Sequence, residues 1–282
     1  MSRIIENQTF DEERALYGSD CVLVKNCRFD GPADGESAFK ESSNVIARDC
    51  FYNLRYPFWH NDYLKIQGGE MTDKCRAALW YDRHLEIEGL AMHGIKALRE
   101  CSDVRIIGSD IISPEFGWNV RNLEMYSTKA VSEYFMMNSQ QLHMHNLEFT
   151  GKYSFQYVRN ALIENSTLDT KDAFWHSQNV TVRNCIVKGE YLAWYSDHLV
   201  LDNCRIIGTQ PLCYCTNLKL INCEMIGTDL AFEKSEVEAT VTTPVDSIKN
   251  PYHGRIRVPS YGELIMDDER AQCEVILTHR EQ

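Results

Sequence analysis

The chain predicts an all-β fold: a single-stranded parallel β-helix of about twelve coils, mostly of nineteen residues, with terminal caps. Three observations lead there. Residues 160–235 divide into four tiers of nineteen that align column by column, with Asn165, Asn184, Asn203 and Asn222 in one column. A fixed period near twenty means one supersecondary unit stacked on the next. Within each tier apolar residues alternate with polar ones before the Asn, which is the mark of a strand with one buried face. The Asn column becomes Gly or Asp in other tiers, and these are the residues that enter the left-handed region at least cost.

Taking the first apolar residue of each tier as its origin gives Val22, Val45, Leu64, Leu85, Val104, Leu123, Leu142, Ala161, Val180, Leu199, Leu218 and Val237. Nine of the eleven intervals are nineteen; the two longer ones place insertions near Gly31–Ser37 and Thr72–Arg76. Two residues after each origin stands a second apolar residue, from Val24 through Ile66, Ile106 and Ile163 to Ala239. These pairs form the inner face of a first strand. Two further on comes the turn column: Asn26, Asp49, Gly68, Gly89, Gly108, Ser127, Asn146, Asn165, Asn184, Asn203 and Asn222. Stacked Asn side chains can hydrogen-bond from tier to tier as identical residues do in other ladders, so an asparagine ladder is expected.

A short second strand follows, pointing Phe29, Tyr52, Met71, Met92, Ile111, Phe149, Leu168, Val187, Ile206 and Met225 inward. Gly94, Gly151, Gly189, Gly208 and Gly227 mark a second bend. A third strand is read through PFWHN, ALWYD, ALREC, FGWNV, SFQYV, AFWHS and LAWYS. Residues 1–20 are expected to form an N-terminal cap, within which Ile5 and Asn7 fit the second apolar and Asn columns of a weaker tier, and residues 21–239 the helix. Residues 240–282, with Pro244, Pro251 and Pro259, are expected as an extended C-terminal cap, since an open end would expose strand edges and core.

A strand ending in Asn at a left-handed bend, then a short strand, then a longer one, resembles the pectin-lyase-like right-handed β-helices over residues 20–240. The compact tier is similar to a bacterial family of small single-stranded β-helix proteins, domain of unknown function 3737. That resemblance implies a right-handed coil and supplies no activity. In the enzymes of the superfamily the third strand carries the substrate cleft. The N-T-D, D-D, G-H-G and R-x-K pattern of polygalacturonases is absent here, as is a pectate-lyase-like cluster of calcium-binding Asp.

The candidate site is therefore the third-strand stripe. Trp59, Trp80, Arg99, Trp118, Gln156, Trp175 and Trp194 fall in one column, and the column before it (Phe58, Leu79, Leu98, Phe155, Phe174, Ala193) is never charged. The uncharged column reads as inward and the Trp column as outward. With the faces reversed the aromatics would fill the core, which Arg99 and Gln156 oppose. Exposed Trp at coil spacing suits sugar rings or an apolar partner. Beside it runs a polar column that includes His60, Tyr81, Glu100, Asn119, Tyr157, His176 and Tyr195. His176 between two Tyr could do acid–base work, and Glu100 near Asp82 could be a carboxylate pair of raised pKa; a solvated edge would have the same composition. His143 and His145 read as a surface pair. Cys213 and Cys215, with Cys185, Cys204 and Cys223, read as small buried thiols rather than metal ligands. No metal site and no cofactor is expected, and phosphate-binding loops and hydrolase elbows are missing.

The net charge of −12 opposes nucleic acid and anionic membranes, and no stretch of about 18 apolar residues offers a membrane span. Eleven cysteines and a polar N-terminal stretch lead to an expectation of reduced thiols and a cytoplasmic location. Two functions fit: binding or acting on a carbohydrate along the aromatic stripe, or serving as a scaffold that uses the same stripe as a homo-oligomer or partner interface. Whether any reaction is catalysed is left open.

Overall fold

The computed structural model describes residues 3–32 and 35–278. Parts of the two expected caps, residues 1–2 and 279–282, and residues 33–34 of the first insertion lie outside them. The fold is all-β, a parallel β-solenoid of about 14 turns, and no α-helix occurs among the described residues. The chain divides into two compact units, residues Met1–Leu142 and His143–Gln282.

In the first unit, strands Asp20–Lys25, Ser43–Arg48, Asp62–Gln67, Arg83–Glu88, Ser102–Ile107 and Arg121–Tyr126 stack in parallel. Their register pairs Val22 with Val45, Val45 with Leu64, Leu64 with Leu85, Leu85 with Val104 and Val104 with Leu123. The origins read from the sequence are therefore the paired residues, and the strands on either side of both insertions keep register. The physical reason is the strand's period of two: a slip of one residue would turn every inward side chain outward. The second unit stacks Arg159–Glu164, Gln178–Arg183, Asp197–Asp202, Leu218–Ile226 and Glu236–Val241 in the same way.

All eleven turn-column residues have positive φ, between 49° at Asn26 and Ser127 and 64° at Gly68. The bend is thus common to Gly, Asn, Asp and Ser. The short second strands follow, with Phe29, Tyr52, Met71, Met92, Ile111, Phe149, Leu168, Val187, Ile206 and Met225 all buried. At the second bend a Cβ on Gly208 would lie 2.1 Å from the carbonyl oxygen of Gly189, so coils close there only on a bare backbone.

Two expectations need correction. Residues 3–20 are not a separate cap: Arg3–Glu6 pairs in register with Val22–Lys25 and Thr9–Phe10 with Arg28–Phe29, as in any other coil. Likewise His253–Val258 stacks on Glu236–Val241 and Glu274–Leu277 on His253–Val258. Pro244, Pro251 and Pro259 all lie outside strands, where no ladder N–H is required. Prolines at bends mimicked the composition of a non-repetitive tail.

The third strand is also less regular than expected. In the first unit it shrinks to two-residue ladders, Phe58–Trp59 on Leu79–Trp80 and Glu115–Phe116 on Tyr134–Phe135. In the second unit it is a run of turns in which alternate residues are left-handed: Tyr153, Phe155 and Tyr157, then Asp172, Phe174 and His176, then Tyr191, Ala193 and Tyr195. Along this run the left-handed residues donate in turn to the following and the preceding coil. Phe174 donates back to Ser154 O and His176 forward to Trp194 O. Coil-to-coil bonding survives without an extended strand.

Candidate functional site

Phe58, Leu79, Leu98, Phe155, Phe174 and Ala193 are all buried, so the uncharged column faces the core and the next one points away. The Trp residues in that next column are half-buried. In the first unit Trp59 and Trp80 lie face to face at 5.5 Å, and the guanidinium of Arg99 sits 5.3 Å from the Trp80 ring and 4.1 Å from that of Trp118. In the second unit Trp175 and Trp194 stack at 5.4 Å with planes 4° apart. Faces that a sugar ring would cover are thus largely covered by the neighbouring coil.

The same column does a second job. Trp80 Nε1 donates to Lys96 O at 2.6 Å, Trp118 to Tyr134 O at 3.4 Å, Trp175 to Tyr191 O at 2.6 Å and Trp194 to Gln210 O at 3.0 Å. Gln156, only 8% exposed, donates from Nε2 to Asp172 O at 2.9 Å. Each bond reaches the residue sixteen further on. Trp59 bonds Ala77 O at 3.0 Å, eighteen further on, because its coil carries the insertion. Arg99 bonds the side chain of Glu115 from the equivalent place. What Trp, Gln and Arg share is a long-reaching N–H. That common feature was present in the sequence and explains a column that otherwise looks chemically mixed.

The polar column is the exposed one. His60 stacks on Tyr81 at 4.8 Å in the first unit. In the second unit Tyr157, His176, Tyr195 and Tyr214 stack in succession at 5.0, 5.1 and 4.9 Å. Tyr157 remains 48% exposed and Tyr195 49%, despite neighbours on their faces. All these ring residues have positive φ. The stacking leaves the ring edges, with their hydroxyl and imidazole atoms, as the surface that meets solvent.

Around His60 and Tyr81 the first unit opens a cleft of about 400 Å³. Glu100 and Asn119 continue one wall, with Asn119 Nδ2 donating to Glu100 Oε1 at 2.5 Å. Arg83, Ser102 and Arg121 form the other, on successive coils. The small Ser102 between two arginines makes the notch. Arg83 is 3.6 Å from Asp62, and the three residues were missed from sequence although they recur at intervals of nineteen.

Behind this cleft lies Asp82, fully buried. Its column is otherwise mostly Ser or Cys, and several of these side chains accept a backbone N–H from the previous coil and donate to a carbonyl. Ser42 Oγ accepts from Ser19 N and donates to Leu16 O; Ser139 Oγ accepts from Val120 N and donates to Gly117 O. Asp82 Oδ1 accepts from Asn61 N at 2.8 Å and from Asn61 Nδ2 at 3.0 Å, but its buried Oδ2 has no hydrogen-bond partner among the described residues. Burial pushes the carboxyl up to about 7, against the two Asn61 bonds that favour the anion. Glu100 has no part in that rise, so the expected carboxylate pair is one buried acid beside one exposed one.

The remaining candidates separate. His143 Nε2 lies 3.4 Å from Glu164 and His145 Nε2 bonds Asn165 at 2.8 Å, so the two imidazoles serve different partners. Cys213 and Cys215 are buried, with thiols pushed up by burial to about 12 and about 11. Among the described residues no three His, Cys, Asp or Glu are grouped to hold a metal ion. Side-chain bonds join Asn184 to Asn165 at 3.2 Å and Asn203 to Asn184 at 2.8 Å. No helix among the described residues is long and apolar enough to cross a membrane.

Among solved structures, the chain is similar to the A-module of Azotobacter vinelandii mannuronan C-5 epimerase AlgE4, at 13% identity over 84% of this chain and 88% of that one, TM-score 0.39. It is similar to the A-module of the AlgE6 epimerase of the same organism, at 11% identity over 98% and 89%, TM-score 0.44. ORF18 of Geobacillus virus E2 matches at 9% identity over 82% and 56%, TM-score 0.42. No curated protein matches. The family model described as "Protein of unknown function (DUF3737)" matches residues 3–277, and the chain, with its in-register coils over that span, belongs to this family.

Proposed function

We propose that the protein binds a carbohydrate, an extended chain of hydroxyl-bearing sugars lying across the coils. The observation that carries this reading is the stacked ring column Tyr157, His176, Tyr195 and Tyr214, spaced at 4.9 to 5.1 Å, of which the first three are exposed and Tyr214 is half-buried. Its edges present phenol hydroxyls and imidazole nitrogens at regular intervals, and each can both donate and accept. A chain of sugars offers hydroxyls in the same repetitive manner. Contact is therefore by hydrogen bonds to ring edges, while Trp175, Trp194 and Gln156 hold the column from behind. In the first unit His60, Tyr81, Glu100 and Asn119 offer the same kind of surface, backed by Trp59, Trp80, Arg99 and Trp118. The cleft there adds Arg83 and Arg121. A buried acid that breaks the pattern of its own column marks this cleft further, because such departures concentrate at functional sites.

The scaffold reading asks for an apolar face, and the column offers polar edges instead. The test is calorimetric titration with a panel of neutral and acidic oligosaccharides. Saturable binding that Tyr195→Ala and His176→Ala each weaken about tenfold supports the proposal, since each loses hydrogen bonds worth roughly 1.4 kcal/mol. Absence of binding across the panel, together with an oligomer that Tyr195→Ala dissociates, would replace it with the interface reading.

A further inference from the structure

We infer that Cys185, Cys204 and Cys223 form a binding site for a soft monovalent cation, Cu(I) or Ag(I), held between the thiolates of adjacent coils. The site is separate from the ring column and does not rest on the carbohydrate reading.

The three cysteines each follow a turn-column Asn and fall nineteen residues apart. The flanking pairs Ile186 with Arg205 and Arg205 with Glu224 put them directly over one another. Each thiol donates to the equivalent carbonyl of the preceding coil, Cys185 to Ile163 O at 3.6 Å, Cys204 to Val182 O at 3.3 Å and Cys223 to Leu201 O at 3.3 Å, so the three sulfurs repeat coil by coil. Neighbouring parallel strands lie about 4.8 Å apart. Two metal–sulfur bonds of about 2.3 Å in line span about 4.6 Å. Two-coordinate binding between stacked thiolates thus fits the coil spacing with little movement, and thiolate is the ligand that soft ions prefer. Four-coordinate zinc has no equivalent place, because the described residues hold no group of three or more metal-binding side chains arranged around one point.

Packing alone does not call for three thiols. Ser109 and Ser166 occupy the same column and accept the same backbone N–H, from Leu90 at 3.2 Å and Leu147 at 2.9 Å. The thiol of Cys185 accepts from Ser166 N at 3.3 Å in the same manner. A hydroxyl therefore meets the structural need, and sulfur adds only its chemistry. A cleft of about 520 Å³ lined by Asn184, Asn203 and Asn222 reaches Cys185 and Cys204, each only 2% exposed. Binding is an exchange without redox change: one cation enters, two thiols become thiolates, and two protons leave to solvent.

The experiment uses Ag(I) as a redox-inert probe, read by native mass spectrometry on the intact chain, with Cys273→Ser and Cys204→Ser as the compared variants. Other thiols, including exposed Cys21, are common to both and cancel. Wild type and Cys273→Ser are expected to retain at least one more Ag(I) than Cys204→Ser, with two protons lost per added ion. Equal uptake by Cys204→Ser and Cys273→Ser overturns the proposal. Circular dichroism checks that Cys204→Ser folds. Should it not fold, Cys185→Ser and Cys223→Ser each leave one adjacent pair and are expected to keep one ion, while the double variant leaves Cys204 alone and loses it. Retention by the double variant overturns the proposal equally.

Discussion

The substitution Asp82→Ser should make the protein more stable at alkaline pH and leave it nearly unchanged at acidic pH. Asp82 is fully buried, and its carboxyl rises to about 7 from an unfolded value near 3.9. The folded state therefore holds the proton more tightly than the unfolded state between about pH 4 and pH 7, and stability falls as pH rises through that window. Three pKa units at 1.36 kcal/mol each give a loss of about 4 kcal/mol, complete above about pH 7. The introduced serine would carry no charge and could both accept the Asn61 N–H and donate, as Ser42 and Ser139 do in their coils. Urea unfolding at about pH 8 should show the variant more stable by about 2 to 4 kcal/mol, and at about pH 4 the two should agree within about 1 kcal/mol. A difference that is the same at both pH values, or a variant less stable at pH 8, would refute the idea that an ionised buried acid costs the fold stability.

Other predictions follow from the backbone and the stripe. Ser127 is the one hydroxyl residue in a left-handed column of Gly, Asn and Asp, with φ of 49°; Ser127→Asn should raise stability by about 0.5 to 1 kcal/mol in thermal or urea unfolding. Ala193 is buried with φ of 66°, whereas Ala239 is buried within a strand. Relief of left-handed strain should make Ala193→Gly at least about 1 kcal/mol less damaging than Ala239→Gly in the same assay. Trp175→Phe keeps a ring on Trp194 but strips Tyr191 O of its 2.6 Å donor; it should lower stability by about 1 kcal/mol and leave oligosaccharide affinity unchanged.

The first strands, their register and the left-handed bends were legible in the residues themselves. Val22, Val45 and Leu64 could be recognised as one column because a β-helix reads one residue type at one place on every lap, and a periodic environment writes a periodic sequence. The inward face of the third segment was readable for the same reason, since Phe58, Leu79 and Phe174 could not be exchanged for charge. Composition misled at the ends. Pro244, Pro251 and Pro259 suggested a break in the repeat, but a proline at a bend costs no ladder bond, so the coils of His253–Val258 and Glu274–Leu277 continued past them.

Side-chain roles were decided by tertiary contact. Trp59, Trp80, Trp175 and Trp194 looked like a sugar platform in a line of letters. Only the stacking of one coil on another shows that their faces meet each other and that their N–H groups are spent on a neighbouring carbonyl. Asp82 was visible as an acid but not as a buried one lacking a partner for Oδ2, because burial and hydrogen bonding are properties of neighbours drawn from other coils. A repeat specifies where each residue stands within its lap; what that residue can do depends on the atoms above, below and in front of it, and those are assembled only when the laps close on one another.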